Sequence, residues 1–213
     1  MDIILDAHEA RVIGCLMEKQ MATPEYYPLS LNALTNACNQ KTNRDPVTNY
    51  SEIALEEVLN GLIQKKLVNK SVVGRVPKFE ELLVRQRNFV PKEAAIVCEL
   101  LLRGPQTAGE LRSRTQRLFA FDSLESVLET LAQLEEMGLV QRLARLPGHK
   151  ESRYGHLLSG PIAAEPERLT EPAPPSERID GQRLERLEQE LAAMKEELAA
   201  LRGQFEIFKK QFE

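Results

Sequence analysis

No apolar run in this 213-residue chain approaches the ~20 residues a membrane helix needs, so no span is expected. The first residues, Met1-Asp2-Ile3-Ile4-Leu5-Asp6, carry acids where a signal peptide carries basic residues, and their apolar stretch is far too short. A cytoplasmic location is expected. Cysteine is scarce: Cys15, Cys38 and Cys98 are odd in number, widely spaced and set in apolar helical contexts. That excludes a disulfide framework and a C-x-x-C metal site, and leaves them as small core residues. His8, His149 and His156 stand near no cysteine and include no i, i+4 pair, so no metal site is predicted. Catalytic signatures are missing too, with no Gly-rich phosphate loop, no G-x-S-x-G and no H-E-x-x-H. The paired carboxylates Glu56-Glu57, Glu135-Glu136 and Glu196-Glu197 fall on polar helix faces, where solvation is the ordinary role. Neither an enzymatic activity nor a cofactor is expected.

A basic excess is also lacking. Residues 1–88 hold 11 Lys/Arg against 11 Asp/Glu, residues 89–160 hold 9 against 9, and residues 161–213 hold 8 against 12, so the net charge of −4 sits entirely in the last segment. A domain held on DNA mainly through phosphates usually shows a basic balance. Hydrophobic content of 42% with 28% charged residues describes a globular protein with room for two small cores or one larger one.

What is present is a repeat. Ser51 to Val68, SEIALEEVLNGLIQKKLV, returns as Ser123 to Val140, SLESVLETLAQLEEMGLV. Leu55, Leu59 and Leu62 fall on Val127, Leu131 and Leu134, the i, i+4, i+7 stripe of a buried helix face. A basic segment punctuated by Gly and Pro follows each copy, Asn69 to Lys78 and Gln141 to Tyr154, and reads as a hairpin. The chain then gives Phe79-Glu80-Glu81-Leu82-Leu83 before the second unit opens. Upstream, Asp6 with Glu9 predicts a capping box for a helix ending near Gln20, and a second helix is expected from Leu29 to about Cys38. The polar connector Asn39 to Pro46 could offer Lys41 and Arg44 to a phosphate or a partner; a solvated loop has the same composition. The second copy repeats the order: Pro91 at a first helical position, Glu93 to Val97 echoing Glu9 to Ile13, a stop at Gly104-Pro105, and Thr107 with Glu110 capping the next helix. Three helices leading into a hairpin make the winged form of the helix-turn-helix, here twice.

Several stretches carry a resemblance: LLLRGPQTAGELR from Leu100 to Arg112, LPGHKESRYGHLLSG from Leu146 to Gly160, Asn39-Gln40-Lys41, and Arg75-Val76-Pro77-Lys78-Phe79. Over residues 3–160 the chain resembles the YceH-like family of bacterial proteins. The resemblance implies tandem winged-helix domains and supplies neither catalytic nor binding residues. The expected division is a first winged domain at 1–88, a second at 89–160, a flexible linker at 161–177 with prolines 161, 166, 172, 174 and 175, and a helix at 178–213. In that helix Leu184, Leu187, Leu191, Met194, Leu198, Leu201, Phe205, Phe208 and Phe212 alternate spacings of three and four, as a and d of about four heptads do. Arg183, Glu190 and Glu197 stand five residues before Glu188, Lys195 and Arg202, each pair opposite in sign, which is the pattern of a parallel coiled coil. A homo-oligomer is expected, with a dimer favoured and a trimer left open. The fold class is therefore mainly α with small β-hairpin wings and a carboxy-terminal coiled-coil helix.

The fold class suggests double-stranded DNA as a partner, yet the third helices hold Glu52, Glu56 and Glu57 in one copy and Asp122, Glu125 and Glu129 in the other, where a helix-turn-helix reads bases. Those carboxylates disfavour groove insertion of either helix. The cations lie on loops and hairpins. The candidate nucleic-acid contacts are Lys41, Arg44, Lys70, Arg75 and Lys78 in the first copy, and Arg112, Arg114, Arg117, Arg142, Arg145, Lys150 and Arg153 in the second. A protein-interaction adaptor, with its acidic helices turned to a protein partner, fits the same composition.

Overall fold

The structure, a computed structural model, describes residues 4–72, 76–145 and 151–162. All of these belong to one compact unit, Met1–Ala164; the second unit, Glu165–Glu213, lies outside the described residues together with every heptad position named above.

The first copy runs α1 (Ala7–Ala22), a 3-10 turn at Pro24–Tyr26, β1 (Leu29–Ser30), α2 (Leu31–Cys38), α3 (Glu52–Gln64), β2 (Val68–Ser71) and β3 (Lys78–Glu81). A short helix, α4 (Leu83–Arg87), leads to the second copy: α5 (Pro91–Arg103), β4 (Gln106–Thr107), α6 (Ala108–Arg114), a 3-10 turn at Thr115–Arg117, α7 (Leu124–Glu136), β5 (Val140–Arg142) and β6 (Arg153–His156). The described chain is thus mainly helical with two three-stranded antiparallel sheets, ordered β1-β3-β2 and β4-β6-β5.

Local chemistry explains the element ends. Asp6 accepts from the amides of His8 and Glu9 while Glu9 accepts from the amide of Asp6, the expected capping box. Thr107 and Glu110 form a second capping box at α6, while Ser51 and Ser123 cap α3 and α7 by accepting from the amides of Ala54 and Ser126. After α3 the chain turns through Lys66 in the left-handed region (φ 59°), and after α7 it does so through Gly138 (φ 68°) at the equivalent position. A lysine there carries a Cβ penalty that the glycine avoids.

Two expectations need correction. Leu29-Ser30 is not the first turn of α2 but a strand paired to Phe79 and Lys78, and Ser30 then caps α2 through the amide of Ala33. Phe79-Glu80-Glu81 does not follow the first hairpin but forms its second strand, because Phe79 is buried and bridges β1 and β2.

Helix α1 is buried on every side from Glu9 to Glu18, and α5 from Ala94 to Leu102. The cause is position: α1 packs on α2, α3 and β3 of its own copy and on α5 of the other, so apolar residues of both copies share one core. The two helices pack closely at Gly14. A Cβ there would stand 2.9 Å from Leu102 Cδ2 and 3.2 Å from Leu101 Cβ, and the Cys98 thiol donates to the Gly14 carbonyl at 3.4 Å. Gly14 and Cys98 occupy matching positions in the two copies, so the crossing uses a small side chain from each.

Two substitutions test this account by urea unfolding. Gly14→Val places a branched Cβ against Leu101 and Leu102 and is expected to destabilise by about 2–3 kcal/mol. Lys66→Gly relieves the left-handed turn and is expected to stabilise by up to about 1 kcal/mol.

Candidate nucleic-acid interface

The two hairpins match in register. Lys70 faces Phe79 and Ser71 faces Lys78 in the first, while Arg142 faces Tyr154 in the second and the amide of Leu143 donates to the Arg153 carbonyl. Strand alternation puts the first residue of each cation pair on one face of its hairpin and the second on the other. Lys70 and Arg142 are therefore equivalent, each cross-strand from an aromatic ring, and so are Lys78 and Arg153. The Lys70 ammonium lies 5.8 Å from the centre of the Phe79 ring. Lys70 and Arg142 are exposed, Lys78 and Arg153 half-buried, and Arg145 is exposed just beyond β5. Arg75 and Lys150 lie outside the described residues.

The remaining candidates divide. Lys41 and Arg117 are exposed. Arg112 donates to the Asp122 carbonyl at 2.9 Å, and Arg114 is drawn inward by Gln106 Oε1 at 2.7 Å and the Glu110 carboxylate at 3.1 Å. Arg44 is not at the surface at all. Its guanidinium donates to both carboxylate oxygens of Glu18, to the carbonyls of Ala37 and Asn43 and to Gln40 Oε1, so its fork is occupied inside the protein. The reason lies in α1: a helix buried all round carries Glu18 into the interior, and an uncompensated carboxylate there is costly. The connector supplies the counter-ion. Asn43 accepts from Arg103 of α5, and the Asp45 amide donates to the Leu102 carbonyl at 3.0 Å, so the connector is clamped to both central helices.

On the third helices Glu52, Glu56, Glu57, Glu125 and Glu129 are exposed, as is Asp122 just before α7. Apolar side chains stand among them: Ile53 is 75% exposed, Leu124 41% and Leu128 42%. For Leu128 the sequence signal was phase. Leu128, one residue after Val127, sits off the stripe of Val127, Leu131 and Leu134 and faces outward, while Leu124 continues the stripe at the first residue of α7. Among the described residues no three His, Cys, Asp or Glu side chains gather as a metal site requires, and no helix is long and apolar enough to cross a membrane.

Residues 5–149 match a family model described as a protein of unknown function, DUF480. The chain is 50% identical over 197 residues to a UPF0502 protein of Solibacter usitatus, covering 90% of this chain and 93% of the relative. It is 50% identical over 199 residues to a UPF0502 protein of Pelobacter propionicus, covering 91% of each, and 47% identical to one of Geobacter sulfurreducens, covering 90% of each.

Arg44→Ala should destabilise the protein by about 3 kcal/mol in urea, since it leaves the buried Glu18 carboxylate with Lys19 alone, at 3.3 Å. Burial alone would raise the Glu18 carboxyl, but the Arg44 hydrogen bonds and charge, with Lys19 beside them, hold it below the usual carboxylate range. A lowered folded-state value means that the pair's contribution is complete above the unfolded value of about 4.3 and is lost as pH falls through the lowered one. Acid titration of Glu18→Gln should lack that part of the stability loss; an unchanged acid profile would remove Glu18 from the account.

Proposed function

The chain belongs to the DUF480 family of proteins of unknown function, also known as UPF0502, and on that footing we propose that it is a cytoplasmic, non-enzymatic, tandem winged-helix DNA-binding protein of the transcription-regulator kind. Its two hairpins are the wings, and they meet the duplex in place of the third helices. The observation that carries this reading is the repeated cation pair: Lys70 with Lys78 and Arg142 with Arg153 occupy the same two register positions in both copies. Cations placed on a projecting hairpin contact the phosphate backbone or enter the minor groove, which positions a protein without reading much sequence. The exposed carboxylates of α3 and α7 stay clear of the phosphates in such a mode.

Each copy alone would bind weakly, because its charge is balanced. The heptads from Leu184 to Phe212 supply valency: a parallel dimer presents four hairpins, and linked weak contacts multiply. A second reading is supported by the exposed Leu124 and Leu128 of α7, which flank Glu125 and offer a protein partner an apolar ridge bordered by acids.

Binding of the full-length protein to random-sequence duplex DNA, followed by fluorescence anisotropy across a salt series, is expected to weaken steeply with salt. Replacing Lys70, Lys78, Arg142 and Arg153 together by alanine should lower the affinity and reduce the logarithmic salt slope by about 0.9 for each phosphate no longer neutralised. A slope identical to that of the parent rules out the hairpin mode. In sedimentation, Leu191→Asp with Leu198→Asp is expected to yield a monomer; a variant sedimenting like the parent would end the coiled-coil assignment.

A further inference from the structure

Where the start of α1, the end of α5, the connector and β6 meet, the chain forms a cleft of about 320 Å³. That is the lower end of the range in which proteins hold small molecules. Its walls are mainly apolar, from Ala10, Leu100, Leu101, Pro105 and Ile162. Asp45, Ser159, Arg11 and His156 break that lining, and the last two carry buried nitrogens. Arg11, on α1, is 4% exposed; its Nη2 donates to the Pro46 carbonyl at 2.7 Å, and its Nη1 has no partner. His156, on β6, also has a buried Nδ1 without a partner.

Arg11 differs from the other charges of the central helices. Glu9 is held by Lys65, Glu18 by Arg44 and Glu99 by Arg103, whereas Arg11 forms no ion pair among the described residues, although Asp45 borders the same cleft. A buried guanidinium without an anion is strongly destabilising. The fold does not demand it, since the second copy places Ala95 at the matching position of α5. A buried arginine whose Nη1 is unpartnered beside an apolar cleft, at a position where the second copy holds alanine, points to an anion from outside the chain.

We infer that this cleft binds a small carboxylic acid with an apolar body, its carboxylate paired with Arg11, its second hydrogen bond made by His156, and its body among the leucines. The charge count favours a monocarboxylate over a phosphate. Burial lowers the His156 pKa to about 4, so the imidazole is neutral near pH 7 and adds no second cation. Asp45 at the same cleft opposes a dianion. The cleft borrows His156 from β6 but none of the hairpin cations, and its test involves no nucleic acid.

The experiment is calorimetric titration of the full-length protein with sodium phenylacetate, isovalerate, acetate and inorganic phosphate, with the His156 imidazole followed by NMR. Phenylacetate and isovalerate are expected to bind with Kd between about 10 µM and 1 mM, to shift the His156 resonances and to exceed acetate at least tenfold. Arg11→Gln should weaken phenylacetate at least tenfold. Ala7→Trp, at an exposed lining position, should abolish binding while leaving the fold intact by circular dichroism. No binding of either larger acid at about 10 mM, or equal binding by Arg11→Gln and Ala7→Trp, overturns the proposal. Binding of phosphate in preference to the carboxylates overturns the ligand class.

Discussion

Helix α1 has no solvent face over Glu9–Glu18, and much of the molecule follows from that constraint. A helix enclosed on all sides needs a close neighbour, and α5 reaches it only because Gly14 leaves room for Leu101 and Leu102. It also needs its buried carboxylates answered in place. Glu9 is met by Lys65 from the end of α3, and Glu18 by Arg44 from the connector. The connector is therefore a structural strap that neutralises one central helix and hydrogen-bonds to the other. Packing of two helices thus decides where a loop runs and which of its cations remain for a partner.

Much of the fold is legible in the sequence. The caps Asp6, Ser51, Thr107 and Ser123 are local chemistry, and the stripe of Leu55, Leu59 and Leu62 repeats in the second copy, so helix starts and buried faces can be read directly. What escapes such a reading is everything set by distant pairing. Leu29-Ser30 and Gln106-Thr107 form strands only because β3 and β6 lie alongside, and a two-residue strand before a helix cap has no periodicity to detect. Phe79 falls outside the expected hairpin for a similar reason: its partners, Lys70 and Leu29, lie 9 and 50 positions away in the chain.

The candidate interface is legible to a different extent. Exposed carboxylates on the third helices follow from phase alone, and they are where phase puts them. The matching of Lys70 to Arg142 and of Lys78 to Arg153 cannot be read from spacing, because 6 residues separate β2 from β3 and 10 separate β5 from β6. Register, fixed by Phe79 and Tyr154 against the core, reveals it. Arg44 looks like its neighbour Lys41 because composition does not distinguish a cation that faces water from one that answers a buried acid. Burial of Glu18 makes the difference, and that burial comes from the packing of α5 on a helix whose Glu18 lies 26 residues before Arg44 in the chain.

The balanced charge of each copy then acquires a different meaning. Several cations are committed to acids of their own chain, as Lys65, Arg44 and Arg103 are to the buried Glu9, Glu18 and Glu99 and Arg114 is to the half-buried Glu110. These pairs cancel and add little to the outside field. Of the surface charge that remains, acids cluster on α3 and α7, while the hairpins carry Lys70, Lys78, Arg142 and Arg153 beside Glu80 and Glu151. At physiological salt a phosphate responds to groups within about 8 Å, so the sum over a whole copy averages across distances the phosphate does not sense. A neutral copy can therefore present a cationic edge to a polyanion and repel it elsewhere. In the proposed binding mode such an arrangement would bias the orientation of approach, because a duplex meeting the third helices would encounter clustered like charge and one meeting the hairpins would find their cations.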